Sequence, residues 1–274
     1  MATLRTIVIF IVFVSGAHLV WAQRTPPPTP QAAAAGDSKS VLFNWMWYMG
    51  MLRGVQEVDA VATLELQGTG TIQAQGQPCK LTNYRTSINY QAGMRVQYAC
   101  TLPNGQSQKS IEVVSGQFAW DEDIVGAGIV PGRGTATANR AALNERLIRL
   151  WSSPQGAPKA AAAGGANTKV AMEGGKPVVT FPIPGVQGAV AKATLNAENQ
   201  AERVVTTMGN VVTEFTYEKY DDYNPDDDKV YGYFPGHLVE KRNGVTILDL
   251  TVKQTDVGNL YVVIPVPQSV RGRN

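Results

Sequence analysis

The sequence predicts an α+β, mainly β fold: a large curved antiparallel sheet (an open half-barrel) with an N-terminal helix and an inserted helical pair packed on its concave face. Three observations carry this reading. From about residue 62 to the end, short runs alternate polar and apolar residues between Gly, Asn and Pro turns. Two stretches break that alternation with helical spacing, one before the first strand and one midway. Gly68 and Gly70 sit inside an alternating run, where they signal the bulge or bend that a curved sheet needs.

The chain opens with an export signal over residues 1–22. Arg5 supplies a positive start, Ile7 to Val14 form an apolar run, and Val20-Trp21-Ala22 places cleavage before Gln23. The apolar run is shorter than the roughly 18–20 residues that span a bilayer, so the mature chain is expected to be periplasmic or secreted rather than an integral membrane protein. Residues 23–38, "RTPPPTPQAAAAGDSKS" in their setting, read as an extended Pro/Ala-rich tether with little to bury. Residues 39–267 are expected to form one β-rich domain, followed by a tail over 268–274.

"SKSVLFNWMWYMGMLRGVQEVDAV" predicts a helix capped by Ser38 or Ser40 and running to about residue 56. Its aromatic residues include Trp45, Trp47 and Tyr48. These three, with Trp151 further on, are the candidate ligand-binding residues; the plainer reading is that they cover the open face of the sheet. Strands follow at "TLELQGTGTIQAQ", "TNYRTSINY", "MRVQYACTL", "KSIEVVSG" and "QFAWDE". The midway insertion "TANRAALNERLIRLWSSP" places Leu143, Leu147, Leu150 and Trp151 at helical spacing, with Arg140, Glu145, Arg146 and Arg149 largely on other faces. A short helix, "APKAAAAG", ends at Gly164-Gly165. Strand patterning then resumes through "LYVVIPV", for about ten strands in all.

Several chemistries are excluded. Net charge is +2, falling by one when Arg5 leaves, and the basic residues are dispersed, so nucleic acid is not an expected partner. Of two histidines, His18 leaves with the signal and His237 remains, which is too few for a catalytic zinc site. No GxSxG elbow is present. "GAGIVPGRG" (126–134) lacks phosphate-loop spacing and reads as a rim loop. The acids of "WDED" (120–123) alternate between faces of a strand end and read as solvated. Cys79 and Cys100 lie on facing strands, offset along the hairpin because the turn sets Cys100 opposite a residue near Tyr84. A disulfide is expected, with two buried free thiols as the alternative.

"DDYNPDDDKVYGYFPGH" (221–237) concentrates acidic residues. Asp222, Asn224, Asp226 and Asp228 have the alternate spacing with which a loop wraps oxygens around Ca²⁺, although the Gly and Glu of such a loop are replaced by Asp227 and Tyr233. A solvated hairpin tip without a cofactor is expected, with Ca²⁺ binding as the alternative.

The order of "SINYQAGMRVQYACTLPNG", "VVSGQFAWDE", "LNERLIRLWSSPQGAPKAA", "VTFPIPG", "YGYFPGHLVEKRNGVTILDLTV" and "LYVVIPVP" resembles the β-rich region found ahead of the catalytic domain in exported metallo-β-lactamase-fold hydrolases. More distantly, the layout resembles lipoprotein-carrier and outer-membrane lipoprotein-sorting folds. The hydrolase domain and its HxHxDH zinc ligands are absent, so the resemblance implies a binding or scaffolding module. The expected function is a non-catalytic extracytoplasmic protein holding a hydrophobic small molecule, a lipid or acyl chain, or a partner protein segment. An accessory or split metallohydrolase subunit is the alternative, and a carboxylate enzyme acting on a glycan is a lesser one.

Overall fold

The structure, a computed structural model, describes residues 37–53, 58–222, 232–257 and 261–272. The expected export signal and most of the tether lie outside the described residues. Helix α1 (Ser38–Tyr48) leads into a short antiparallel pair, β1 (Leu52–Arg53) and β2 (Val58–Asp59). A first meander follows: β3 (Thr63–Ala74), β4 (Gln77–Asn89), β5 (Gly93–Thr101), β6 (Ser107–Ser115), β7 (Phe118–Glu122) and β8 (Ala136–Ala138). The helical insertion comprises a 3₁₀ turn (Arg140–Ala142), α2 (Leu143–Trp151), α3 (Gly156–Ala163) and a second 3₁₀ turn (Gly165–Asn167). The second meander is β9 (Lys169–Glu173), β10 (Lys176–Pro182), β11 (Val190–Leu195), β12 (Ala201–Met208), β13 (Val211–Asp222), β14 (Tyr233–Arg242) and β15 (Val245–Val257); a helical turn α4 (Gln268–Arg271) comes last.

Strands β3 to β15 form one curved sheet in the order β8-β7-β6-β5-β4-β3-β15-β14-β13-β12-β11-β10-β9. The first meander grows outward from β3 to one edge, and the second returns from the other edge to the centre, where β15 pairs with β3. The insertion therefore joins opposite edges of the sheet. Connections keep to a surface rather than threading between strands, so α2 and α3 must cross one face, and they cover it. On that inner face Leu147, Ile148 and Leu150 of α2 and Ala157, Ala160 and Ala161 of α3 pack with Leu64, Ile88, Val96, Phe181, Val204 and Leu250 in one cluster.

Gly70 (φ +150°) lets β3 approach β15: a Cβ there would lie 2.0 Å from the Asp249 carbonyl oxygen. The β3–β4 register shifts across Gln67 to Thr71, so the bend expected at this glycine pair is present.

Four sequence expectations change. Helix α1 ends at Tyr48, not near 56. Gly50 (φ +68°) closes it, with Met51 N donating to Met46 O (2.9 Å) and Gly50 N to Trp47 O (2.9 Å), the bonding of a glycine-terminated helix. Its N-cap is Asp37, whose carboxylate accepts from Lys39 N (3.2 Å) and Ser40 N (3.3 Å), rather than Ser38 or Ser40. Among the described residues the main sheet has thirteen strands rather than about ten; residues 136–138, the last two of which open the expected helix, pair with β7 as β8 instead. The described part of "LYVVIPV", residues 261–266, joins no strand of the sheet. It lies as an extended strap on the outer face, burying Val262 and Ile264 with Val113 and Trp120 and accepting Asn89 Nδ2 at the Val262 carbonyl (3.1 Å).

Cys79 and Cys100 form a disulfide with Cα atoms 5.5 Å apart. The register is shorter than expected. Asn89 pairs with Gly93, and a bulge at Leu81/Asn83 sets Cys100 opposite Leu81 rather than near Tyr84, which brings Cys79 within reach.

Candidate functional site

Where α2 turns into α3, the helical cover does not fill the inner face. A cavity of about 40 Å³ remains, lined by Leu64, Leu66, Tyr84, Ile88, Met94, Phe215, Tyr217, Phe234, Leu238 and Leu248 from the sheet and by Arg149, Ser153 and Pro154 from the cover. The strands supply these residues because alternation sends every second side chain of β3, β4, β13, β14 and β15 inward. Thr86 and Glu240 complete the wall.

Polar groups at the rim fasten the cover. The Tyr217 hydroxyl donates to Ser152 O, and the Ser152 and Thr206 hydroxyls are 3.1 Å apart. Gln155, fully buried, donates through Nε2 to Tyr233 O (2.8 Å). The Tyr90 and Ser153 hydroxyls are 3.3 Å apart, and Lys159, paired with Asp59, lies 4.9 Å above the Tyr90 ring. Burial pushes the Tyr84 phenol up to about 12 and raises Tyr90, Tyr217 and Tyr220 as well, so these hydroxyls stay neutral.

The charged end of the cavity is an ion network. Arg149 donates from Nε (2.9 Å) and Nη2 (3.2 Å) to Glu240, whose side chain is 1% exposed, and from Nη1 to Glu112 (3.2 Å). Arg242 pairs with Glu145 (2.5 Å) and lies 3.6 Å from Glu240. Burial opposes the Arg149 charge, but Glu240 and Glu112 outweigh it and hold the guanidinium well above its usual range. Burial likewise pushes the Glu145 carboxyl up, and Arg242 and Arg149 more than reverse this, leaving it below the usual range. Beside the network, Arg146 is buried at 4% exposure, donating to Val113 O (3.1 Å), Trp120 O (2.7 Å) and Asp121. Arg146 and Arg149 thus point into the structure, not away from it as helical spacing suggested. The periodicity carried no signal for this: Arg146 and Arg149 lie at and beyond the edge of the Leu143, Leu147 and Leu150 stripe, and Glu112 and Asp121, which pair directly across β6 and β7, reach them only in the fold.

The sequence candidates fall elsewhere. Trp45 is fully buried against Phe181 (ring centroids 6.4 Å apart); Trp47 is half-buried and stacked on Phe43 (5.8 Å); Tyr48 is half-buried; Trp151 is half-buried and tilted against Tyr90 (6.4 Å). None of the four is among the residues lining the cavity. Of the Ca²⁺ candidates, Asp222 ends β13, and Asn224, Asp226 and Asp228 lie outside the described residues. The acids of "WDED" do take opposite faces, but Glu122 is not solvated. It is buried on the outer face, accepting from Arg95 Nε (3.1 Å), Trp120 Nε1 (3.0 Å) and Gly126 N (2.8 Å). His237 lies within β14 between Asp249 (2.9 Å) and Glu218 (3.4 Å). Among the described residues, no group of three or more His, Cys, Asp or Glu is placed to hold a metal ion, and no helix is long and apolar enough to cross a membrane.

Fold and site together define an open antiparallel sheet with a helical cover over an apolar cavity. No family model matches the chain, and no curated protein matches it. Among solved structures it is similar to an outer membrane lipoprotein-sorting protein domain from Vibrio parahaemolyticus (8% identity, TM-score 0.46, covering 81% of this chain and 93% of that one). It is also similar to a LolA superfamily protein from Nitrosomonas europaea (12%, 0.44, covering 83% and 96%) and to LprF from Mycobacterium bovis (8%, 0.33, covering 85% and 99%). These neighbours correspond to the more distant of the two resemblances in the sequence. The resemblance to the region ahead of metallo-β-lactamase-fold domains finds no support in them.

Proposed function

We propose that the chain is a non-catalytic, extracytoplasmic binding protein that holds an apolar ligand, a lipid or acyl chain, between the inner face of the sheet and its helical cover. The observation that carries this reading is the cavity wall. Ten sheet side chains there are aliphatic, thioether or aromatic, and the two charged groups, Arg149 and Glu240, are bonded to each other. Such a wall suits a hydrocarbon and gives a glycan too few hydrogen-bond partners. At about 40 Å³ the cavity has room for little more than a few waters, well below the roughly 300–1,000 Å³ of small-molecule pockets. Occupancy therefore requires the α2–α3 turn to move off the sheet, and that turn is fastened by a handful of hydrogen bonds. A carboxylate enzyme is disfavoured because Asp121 is paired with Arg146 and Glu122 faces the other side. The split-metallohydrolase alternative rests on motif order alone.

The test is native mass spectrometry of protein purified from its own host, together with titration by a fluorescent fatty acid. A co-purified lipid mass and saturable binding are expected, both lost when Ile88→Phe fills the cavity. A bare protein mass together with non-saturable probe fluorescence would sink the proposal.

A further inference from the structure

The loop between β7 and β8 (residues 123–135) lies on the outer face, away from the cavity, and presents four aliphatic side chains to solvent. Ile124 is 43%, Val125 46%, Ile129 40% and Val130 52% exposed. Isolated exposed aliphatics are ordinary; four within seven residues are not. The loop is also built rather than loose. Ala127 N donates to Ile124 O (3.1 Å), Gly128 N to Arg133 O (3.0 Å) and Arg133 N to Val130 O (3.0 Å), while Ala127 is fully buried beneath and the loop start is tied down through Gly126 N to Glu122. Gly128 sits so close to the C-terminal strap that a Cβ there would lie 3.2 Å from Pro267 Cβ. That strap adds Val263, 65% exposed, to the same outer layer.

Exposed basic groups outnumber the loop's single acid around the patch. Arg133 within the loop and Arg271 on α4 are exposed. The loop's one acid, Asp123, is turned onto its own backbone, accepting from Thr135 N (2.8 Å). Four half-exposed side chains offer far less than the ~800 Å² per partner of a stable protein interface. Branched aliphatics on a fixed loop beside arginines match an anionic lipid interface instead, where the side chains enter the acyl boundary and the guanidinium groups meet phosphates. We propose that this loop, with Arg133 and Arg271, docks the protein on an anionic phospholipid surface.

The test uses the full chain with a single reporter, Ile129→Cys carrying an environment-sensitive fluorophore; Cys79 and Cys100 are joined and do not react. A matched reporter at Val190→Cys, exposed at the start of β11 in the other half of the sheet, is the control. It also separates docking by this loop from any affinity of the N-terminal segment. With phosphatidylcholine vesicles containing phosphatidylglycerol, emission at position 129 is expected to shift blue and intensify, with no change at 190. Ile124→Ser/Val130→Ser should weaken the response by about tenfold, and Arg133→Glu and Arg271→Glu by at least roughly fivefold each. All should melt as the parent does, because the replaced side chains are exposed. An unresponsive position 129, an equal response at 190, or a response indifferent to these variants or to phosphatidylglycerol would overturn the proposal. So would a blue shift that grows with protein concentration in the absence of vesicles, which would identify a second copy as the occupant.

Discussion

Glu240→Gln tests whether charge holds the helical cover to the sheet. The substitution preserves shape and removes the negative charge that Arg149 meets at 2.9 and 3.2 Å and Arg242 at 3.6 Å. Breaking one side of a buried pair costs about 3–5 kcal/mol, because the remaining charge stays desolvated. Glu112 and Glu145 still face Arg149 at 3.2 and 3.6 Å, so the lower end applies. For a domain of this size, ~3 kcal/mol corresponds to a fall in Tm of roughly 6–12 °C. Arg149→Met/Glu240→Leu should recover most of the loss, since neither charge is then buried alone and Arg242 keeps Glu145. Urea unfolding followed by tryptophan fluorescence measures all three variants and supplies the coupling energy of the pair. A single-variant loss below about 1 kcal/mol, the range of exposed pairs, would refute the reasoning, as would a double variant as unstable as the two singles summed.

Two further predictions concern the inner core. The Tyr84 phenol is raised by burial from 10.0 to about 12, so the stability tied to its neutral form is fully present below pH 10 and is lost as pH rises from 10 to 12. The loss amounts to about 3 kcal/mol at most. Absorbance of tyrosinate and far-UV circular dichroism should therefore change together in that window, with Tyr84→Phe unfolding at higher pH; ionisation of all tyrosines near pH 10 in a folded chain would contradict this. Trp45→Ala, which empties a fully buried site against Phe181, should cost about 3–5 kcal/mol, whereas Trp47→Ala, stacked on Phe43 and half-buried, should cost under about 1 kcal/mol. Equal losses in thermal melts would show that the two faces of α1 are not distinguished as described.

The local pattern was sufficient for the elements. Alternation in "TLELQGTGTIQAQ" or "VTILDLTVKQTD" is a property of neighbouring residues, since a strand sends every second side chain to one face whatever it pairs with. The same holds for the Leu143–Leu147–Leu150 stripe and for the bend at Gly68 and Gly70. Where local signals competed, the reading slipped. The continuing apolar run hid the glycine that ends α1 at residue 50, and residues 261–266 have a strand's alternation but pair with no strand of the sheet. Only the tertiary structure decided the site. That α2 and α3 join opposite edges of the sheet, and so must cover its inner face, follows from β3 pairing with β15 nearly two hundred residues away. Arg146 and Arg149 are inward because Asp121, Glu112 and Glu240 arrive opposite them from three separate strands. A charged residue reads as solvent-facing until its partner is brought from elsewhere in the chain, and pairing at that range leaves no trace in the periodicity around either residue.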